Sequence, residues 1–322
     1  IRLWLLRMLS ANGLMRRFVR KTDFFDDDIV RALGLDDLIG LDESEFKRVE
    51  IIRSLSRMKD ELEAGAAELG ASEHIQSNCS ILEKLLGLCQ TERAVLLFEL
   101  IRSDDSVIND VLRLAEPKGQ AGYLQLVGAA LGIHPRVLKA KLRPLESALL
   151  QSCVLSWDTD SRFQFTRDQI SNALLQHDCN LDRLTESVVI KGLRPTLSYQ
   201  DYPHLQESLG HLRVHVRKAL KEKRKGVNIF IYGPPGTGKS ELARVVGREM
   251  RVGSYEVAFQ DEDGDAMNGK QRLESLRIAQ PLLSRKRCML VYDEAEDIFL
   301  GESLFDRSLA SKHKAWINRQ FE

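Results

Sequence analysis

Residues 233–240 read Gly-Pro-Pro-Gly-Thr-Gly-Lys-Ser, and no other stretch restricts the fold of this chain as much. Gly233, Gly236 and Gly238 put no Cβ in the way, so a turn here wraps a compact anion and aims successive backbone N–H groups at it. A helix following the turn adds the positive end of its dipole. The run fits G-x-x-x-x-G-K-[ST] at each fixed position. In that pattern the lysine, Lys239, reaches the β and γ phosphates of a nucleotide, and the Ser240 hydroxyl helps hold Mg²⁺.

The flanks suit such a loop. Val227 to Tyr232 is a short β-rich run that reads as a buried parallel strand, and Glu241 to Met250 reads as the helix after the loop. Ser254 to Phe259 reads as a second strand and Leu273 to Leu283 as a helical run interrupted by Pro281. Then comes Cys288-Met-Leu-Val-Tyr-Asp-Glu294, an apolar strand ending in two acids 54 residues after Lys239. A strand of that kind delivers Asp293 to the carboxyl edge of the sheet, beside the phosphate loop, where it holds Mg²⁺ directly or through water. Glu294 then stands where a base polarises a water for in-line attack. The acidic loop Asp261 to Asp265 is no EF-hand, since Ala266 and Arg272 occupy the sixth and twelfth positions.

Gly233 to Ser240 together with Leu290-Val-Tyr-Asp-Glu294 resemble the Walker A and Walker B motifs of the AAA+ ATPases, and the first is closest to the AAA subgroup. The resemblance covers about residues 198–322. It implies the α/β class: a doubly wound P-loop αβα nucleotide-binding domain, assembled into a homo-oligomeric ring, that hydrolyses ATP to remodel a protein or nucleic-acid partner. Carried over by residue, it implies that Gly233, Pro234, Pro235, Gly236, Thr237, Gly238, Lys239, Ser240 and Glu241 bind ATP. Ser240 and Asp293 would serve Mg²⁺, and Lys239 and Glu294 would be catalytic, Glu294 as the base. Asn318 resembles the polar position of the helix after Walker B. One departure concerns Met267-Asn268-Gly269, which stands where unfoldases of the group carry an aromatic, an apolar residue and glycine to grip a threaded polypeptide. Sensor, arginine fingers and lid would follow Glu322.

The N-terminal part has a different texture. Residues 1–120 read as a helical region, with helices expected over Leu3 to Val19, Glu45 to Leu69, His74 to Gln90, Glu92 to Ile101 and Ser106 to Leu114. Val49, Ile52, Leu55 and Met58 carry the apolar spacing of the second. Asp26-Asp27-Asp28 marks a helix N-terminus in preference to a metal cluster. Residues 121–190 read as a winged-helix-like module: a helix over Tyr123 to Leu131, a turn at Gly132-Ile-His-Pro135, a second run from Arg136 to Leu150 that Pro144 should divide, and a hairpin of Val154 to Trp157 and Arg162 to Phe165. Such a module either contacts DNA, through Arg136, Lys139, Lys141 and Arg143 within residues 122–165, or docks a protein. Residues 191–200 read as a linker and 201–322 as the ATPase subdomain. Lys221 to Gly226 reads as a helix C-terminus whose cations suit the dipole, with a nucleic-acid patch as the other reading.

At 322 residues the chain has room for two or three domains, and 47 basic against 47 acidic residues argue against a general affinity for nucleic acid. It contains no apolar run of about 18 residues, so no membrane is expected. Five dispersed cysteines without C-x-x-C suit reduced thiols and a cytoplasmic location. His211 and His215 lack the glutamate of a zinc helix and read as surface residues. Because residue 1 is isoleucine, the chain reads as a piece whose start lies elsewhere. Three functions are compatible: an ATPase remodelling a recruited protein, a DNA-directed AAA+ ATPase of replication, transposition or defence, and a slow nucleotide-dependent signalling switch.

Overall fold

A computed structural model describes residues 1–65, 72–224, 226–261 and 264–295. They fall into two compact units, residues 1–180 and 181–322. Asn318 lies outside the described residues.

The first unit is built on helices. It opens with α1 (Arg2–Ser10) and α2 (Leu14–Phe18), followed by α3 (Asp27–Leu33) and α4 (Arg48–Ala64). The expected single helix from Leu3 to Val19 is broken, because Asn12 and Gly13 both take left-handed backbone, φ 53° and 74°. Asp26 caps α3, accepting from the amides of Asp28 at 2.9 Å and Ile29 at 3.4 Å. The carboxylates of Asp26, Asp28 and Asp110 do gather. Arg113 bridges Asp26 and Asp110, and Arg31 meets Asp28, so guanidinium groups balance the cluster. On α4 the buried residues are Ile51 and Leu55, while Val49 is 60% exposed and does not belong to the stripe expected of it.

There follow α5 (Glu73–Leu86), α6 (Gln90–Asp104), α7 (Ser106–Ala115) and α8 (Gly119–Leu131). α1 packs against α4 and α8, with Leu5, Leu6, Met8, Leu9 and Phe98 wholly buried. The second run is divided at Pro144, giving α9 (Pro135–Lys141) and α10 (Ala148–Gln151). β1 (Leu155–Trp157) and β2 (Phe163–Phe165) form the hairpin, Trp157 opposite Phe163, and α11 (Asp168–Leu175) follows. A buried polar network ties hairpin to helices. Glu99 accepts from the Tyr123 hydroxyl and from Arg102 Nε at 2.7 Å, and Arg102 also donates to the Phe163 carbonyl at 2.6 Å.

The second unit begins with α12 (Leu181–Glu186) and β3 (Val189–Lys191), then α13 (Gln206–Glu222), α14 (Lys239–Glu249), β4 (Gly253–Val257), α15 (Gly269–Leu283) and β5 (Cys288–Val291). The sheet order is β3-β4-β5, with β3 antiparallel and β5 parallel to β4. The strand β3 was not expected from the sequence, although its β-branched Val188-Val-Ile190 is what a strand favours. α15 continues through Pro281, which sits close enough to its end that little of the hydrogen-bond ladder is lost. Leu209 and Val216 of α13 close a core with Leu242, Val245 and Val246 of α14 and with Met250, which follows it. Each such side chain contributes about 1.5–3 kcal/mol of burial.

Val227–Tyr232 differs from expectation. Among the described residues it joins no ladder: Phe230 and Tyr232 are 76% and 83% exposed and stack at 6.1 Å, while Ile231 packs on the α13–α14 core. A strand needs a neighbour's row of donors and acceptors, which composition does not provide.

Candidate functional site

The loop from Gly233 to Gly238 leads into α14 as its spacing implies. Gly236 and Gly238 have φ of 75° and 80°, a region that a residue with a Cβ enters only under strain. Thr237 Oγ1 donates to the Pro234 carbonyl at 2.8 Å, closing the turn. Lys239 folds over the loop, its Nζ donating to the carbonyls of Gly233 at 3.1 Å and Pro234 at 3.0 Å. Gly233, Pro234, Pro235, Gly236 and Thr237 are exposed, and Gly238, Lys239, Ser240 and Glu241 are half-buried at the helix start.

α14 packs on β5, whose carboxyl end carries the two acids. Asp293 is half-buried and Glu294 exposed. The Asp293 carboxylate accepts from the Glu294 amide at 3.1 Å, and Glu294 has φ of 51°, uncommon for a residue with a side chain. Arg244 of α14 joins the two halves electrostatically. Its hydrogen bond to Glu256, and then the charges of Glu256, Glu241 and Asp293, hold its guanidinium more firmly protonated than usual. A hydroxyl at Ser240 and a carboxylate at Asp293 are the hard oxygen ligands that Mg²⁺ takes.

Several residues at this site carried no signal in the sequence. Buried Arg272 donates to the Asp293 carbonyl and lies 4.5 Å over the Tyr292 ring, pinning the backbone of the acidic pair. Tyr202, also buried, donates its hydroxyl to the Gly238 carbonyl at 3.2 Å. Glu241 turns to the segment before the domain: its carboxylate accepts from the Leu197 amide at 3.0 Å, the Thr196 hydroxyl at 3.0 Å and the Thr196 amide. Arg248 completes that clamp, donating to the carbonyls of Pro195 at 3.2 Å and Leu197 at 2.7 Å. These partners are far apart in sequence, and no motif spacing links them.

Met267, Asn268 and Gly269 start α15. Met267 is 7% exposed, Asn268 caps the helix in a reciprocal pair with Gln271 at 2.9 Å, and Gly269 is the first helical residue. The triad is committed to the helix start, so Met267 does not project as a grip.

The sequence model of the ATPase family associated with various cellular activities (AAA) matches residues 229–315, which span both motifs. The chain carries an AAA domain. Curated proteins also align with part of the chain. Over 125 residues, 35% of this chain and 28% of the other, it is 30% identical to 26S proteasome regulatory subunit 7 of Dictyostelium discoideum. Over 64 residues, 19% of this chain and 18% of the other, it is 42% identical to the Holliday junction branch migration complex subunit RuvB of Phytoplasma mali. The chain therefore spans less than a third of the length of these relatives. No solved structure matches it significantly. Among the described residues no helix is long and apolar enough to cross a membrane.

Proposed function

We propose that the AAA domain binds ATP with Mg²⁺ and hydrolyses it, and that the chain works as a ring-forming ATPase that remodels a protein recruited by residues 1–190. The observation that carries the reading is the placement of Asp293 and Glu294 at the end of a parallel strand packed on α14, the helix whose first residues are Lys239 and Ser240. Amides and the α14 N-terminus would receive the phosphates, and Lys239 would leave its two loop carbonyls for the β and γ oxygens. Ser240 and Asp293 would hold Mg²⁺, whose chemistry is to bridge and neutralise phosphate oxygens. Glu294 would orient the attacking water and take up its proton. Glu241, engaged by Thr196 and Leu197, would act on the nucleotide through the position of α14.

Turnover and nucleotide binding, measured together on two variants, test the assignment. Lys239→Ala is expected to lose nucleotide binding, and Glu294→Gln to retain ATP while turnover falls at least about 100-fold, the scale of acid–base catalysis. Turnover by Glu294→Gln near the wild-type rate would remove Glu294 from the base role.

A DNA-directed ATPase is the second reading. It is supported by the alignment to a branch-migration subunit and by the exposure of Arg136, Lys139 and Lys141 on α9 within residues 122–165. Cys79, Cys89, Cys153, Cys179 and Cys288 stand outside disulfides, which suits a cytoplasmic location.

A further inference from the structure

α13 carries more positive charge than its own terminus accounts for. From Arg213 to Arg224 the chain holds six cations, Arg213, Arg217, Lys218, Lys221, Lys223 and Arg224, and one acid, Glu222, in a protein whose charges otherwise balance at 47 each. A helix dipole favours cations only within the last turn. That covers Lys221 and leaves Arg213, Arg217 and Lys218 unexplained. The cap itself is made by Lys223, which takes left-handed backbone and donates its amide to the Ala219 carbonyl.

All six cations are exposed. Arg224 pairs with Glu222 at 2.6 Å, and among the described residues none of the other five is in an ion pair. The cations on the helix, Arg213 to Lys221, cover about 12 Å at 1.5 Å per residue. The apolar side of α13, Leu209 and Val216 with Leu212 and Leu220, is committed to α14. A helix lying in a membrane needs that side free. On the exposed side the large apolar residue is Val214, with no aromatic anchor of the kind that dominates protein interfaces. What remains is a surface whose attraction is nearly all electrostatic and repeated along a line.

We propose that the exposed face of α13 docks the phosphate backbone of a nucleic acid, with Arg217, Lys218 and Lys221 as its central contacts. These residues are none of those assigned to the nucleotide site or to residues 122–165, and the test uses no nucleotide, so failure of the ATPase reading would not be mistaken for failure here.

The experiment is fluorescence anisotropy of the full chain with a labelled mixed-sequence duplex and the corresponding single strand, titrated across salt. Three phosphate contacts give a log–log slope of about −2.7, a loss of roughly 40-fold between about 50 and 200 mM salt. The variant Arg217→Ala/Lys218→Ala/Lys221→Ala is expected to flatten the slope by about that amount, with an unchanged circular dichroism spectrum. Arg217→Lys, which keeps the charge, should bind as wild type. The proposal is overturned if the triple variant binds like wild type, or if neither nucleic acid binds at about 50 mM salt. It is equally overturned if Arg136→Ala/Lys139→Ala/Lys141→Ala alone abolishes binding, or if polyglutamate or phosphatidylserine vesicles bind this face more tightly than nucleic acid.

Discussion

Buried Glu92 shows how one carboxylate makes a local structure depend on pH. It accepts from the Cys89 amide at 2.9 Å, the Ser147 hydroxyl at 2.7 Å and the Leu149 amide at 3.2 Å, joining the start of α6 to the start of α10. Burial drives its carboxyl up, and these donors outweigh that effect, leaving it below its ordinary 4.5. A depressed carboxylate contributes stability that is present above the ordinary value and lost as pH falls through the lowered one. Thermal midpoints followed downward from neutral pH should therefore fall more steeply below about pH 4.5 for wild type than for Glu92→Gln, the two curves converging in acid. Arg272 gives a second prediction at this scale. Removing a buried charged donor that holds the Asp293 carbonyl should cost Arg272→Leu about 2–3 kcal/mol in urea unfolding, together with a drop in turnover, because the acidic pair loses its fixed backbone.

At the level of elements, the clamp between α14 and residues 195–197 is the most testable feature. The Thr196 and Leu197 amides both donate to Glu241, so Glu241→Ala should speed their hydrogen exchange by about tenfold, the equivalent of one net hydrogen bond. Unchanged exchange at both amides would show that Glu241 does not hold the segment. Elements governed by local chemistry could be read in advance. Pro144 divides a helical run, Asp26 caps α3, and the hairpin follows from two β-rich runs around Asp158-Thr-Asp-Ser161. The glycine turn into α14 was legible for the same reason, since its positive-φ glycines and the helix start lie within eight consecutive residues. What could not be read depends on partners distant in sequence. Val227–Tyr232 has a strand's composition without a ladder among the described residues, and β3 is a strand because β4 lies beside it. Arg272 and Tyr202 acquire roles from backbone carbonyls that no spacing rule identifies.

For the whole molecule, two compact units predict two responses to ligand. Calorimetry should resolve a transition for residues 1–180 and another for 181–322. ATP with Mg²⁺ at about 100 times its dissociation constant should stabilise the second by about 2.7 kcal/mol and leave the first where it was. A shift of the first alone would place the nucleotide elsewhere. Phe98→Ala, which opens a cavity in the first unit's core, should lower the first transition and spare the second.

The clamp also defines a load path. Residues 195–197 are fastened to α14 at Glu241 and Arg248, and Glu241 stands two positions after Lys239. Tension arriving along the backbone from the N-terminal side therefore enters α14 through these bonds before it reaches Ser198. The chain from Ser198 to Gly238 leaves and returns to the same helix, and α13 within it is packed on α14 through Leu209 and Val216. A pull too weak to break the clamp would act on α14 and, through their shared core, on α13. A pull strong enough to break it would next load Ser198 and, beyond it, the core that α13 shares with α14.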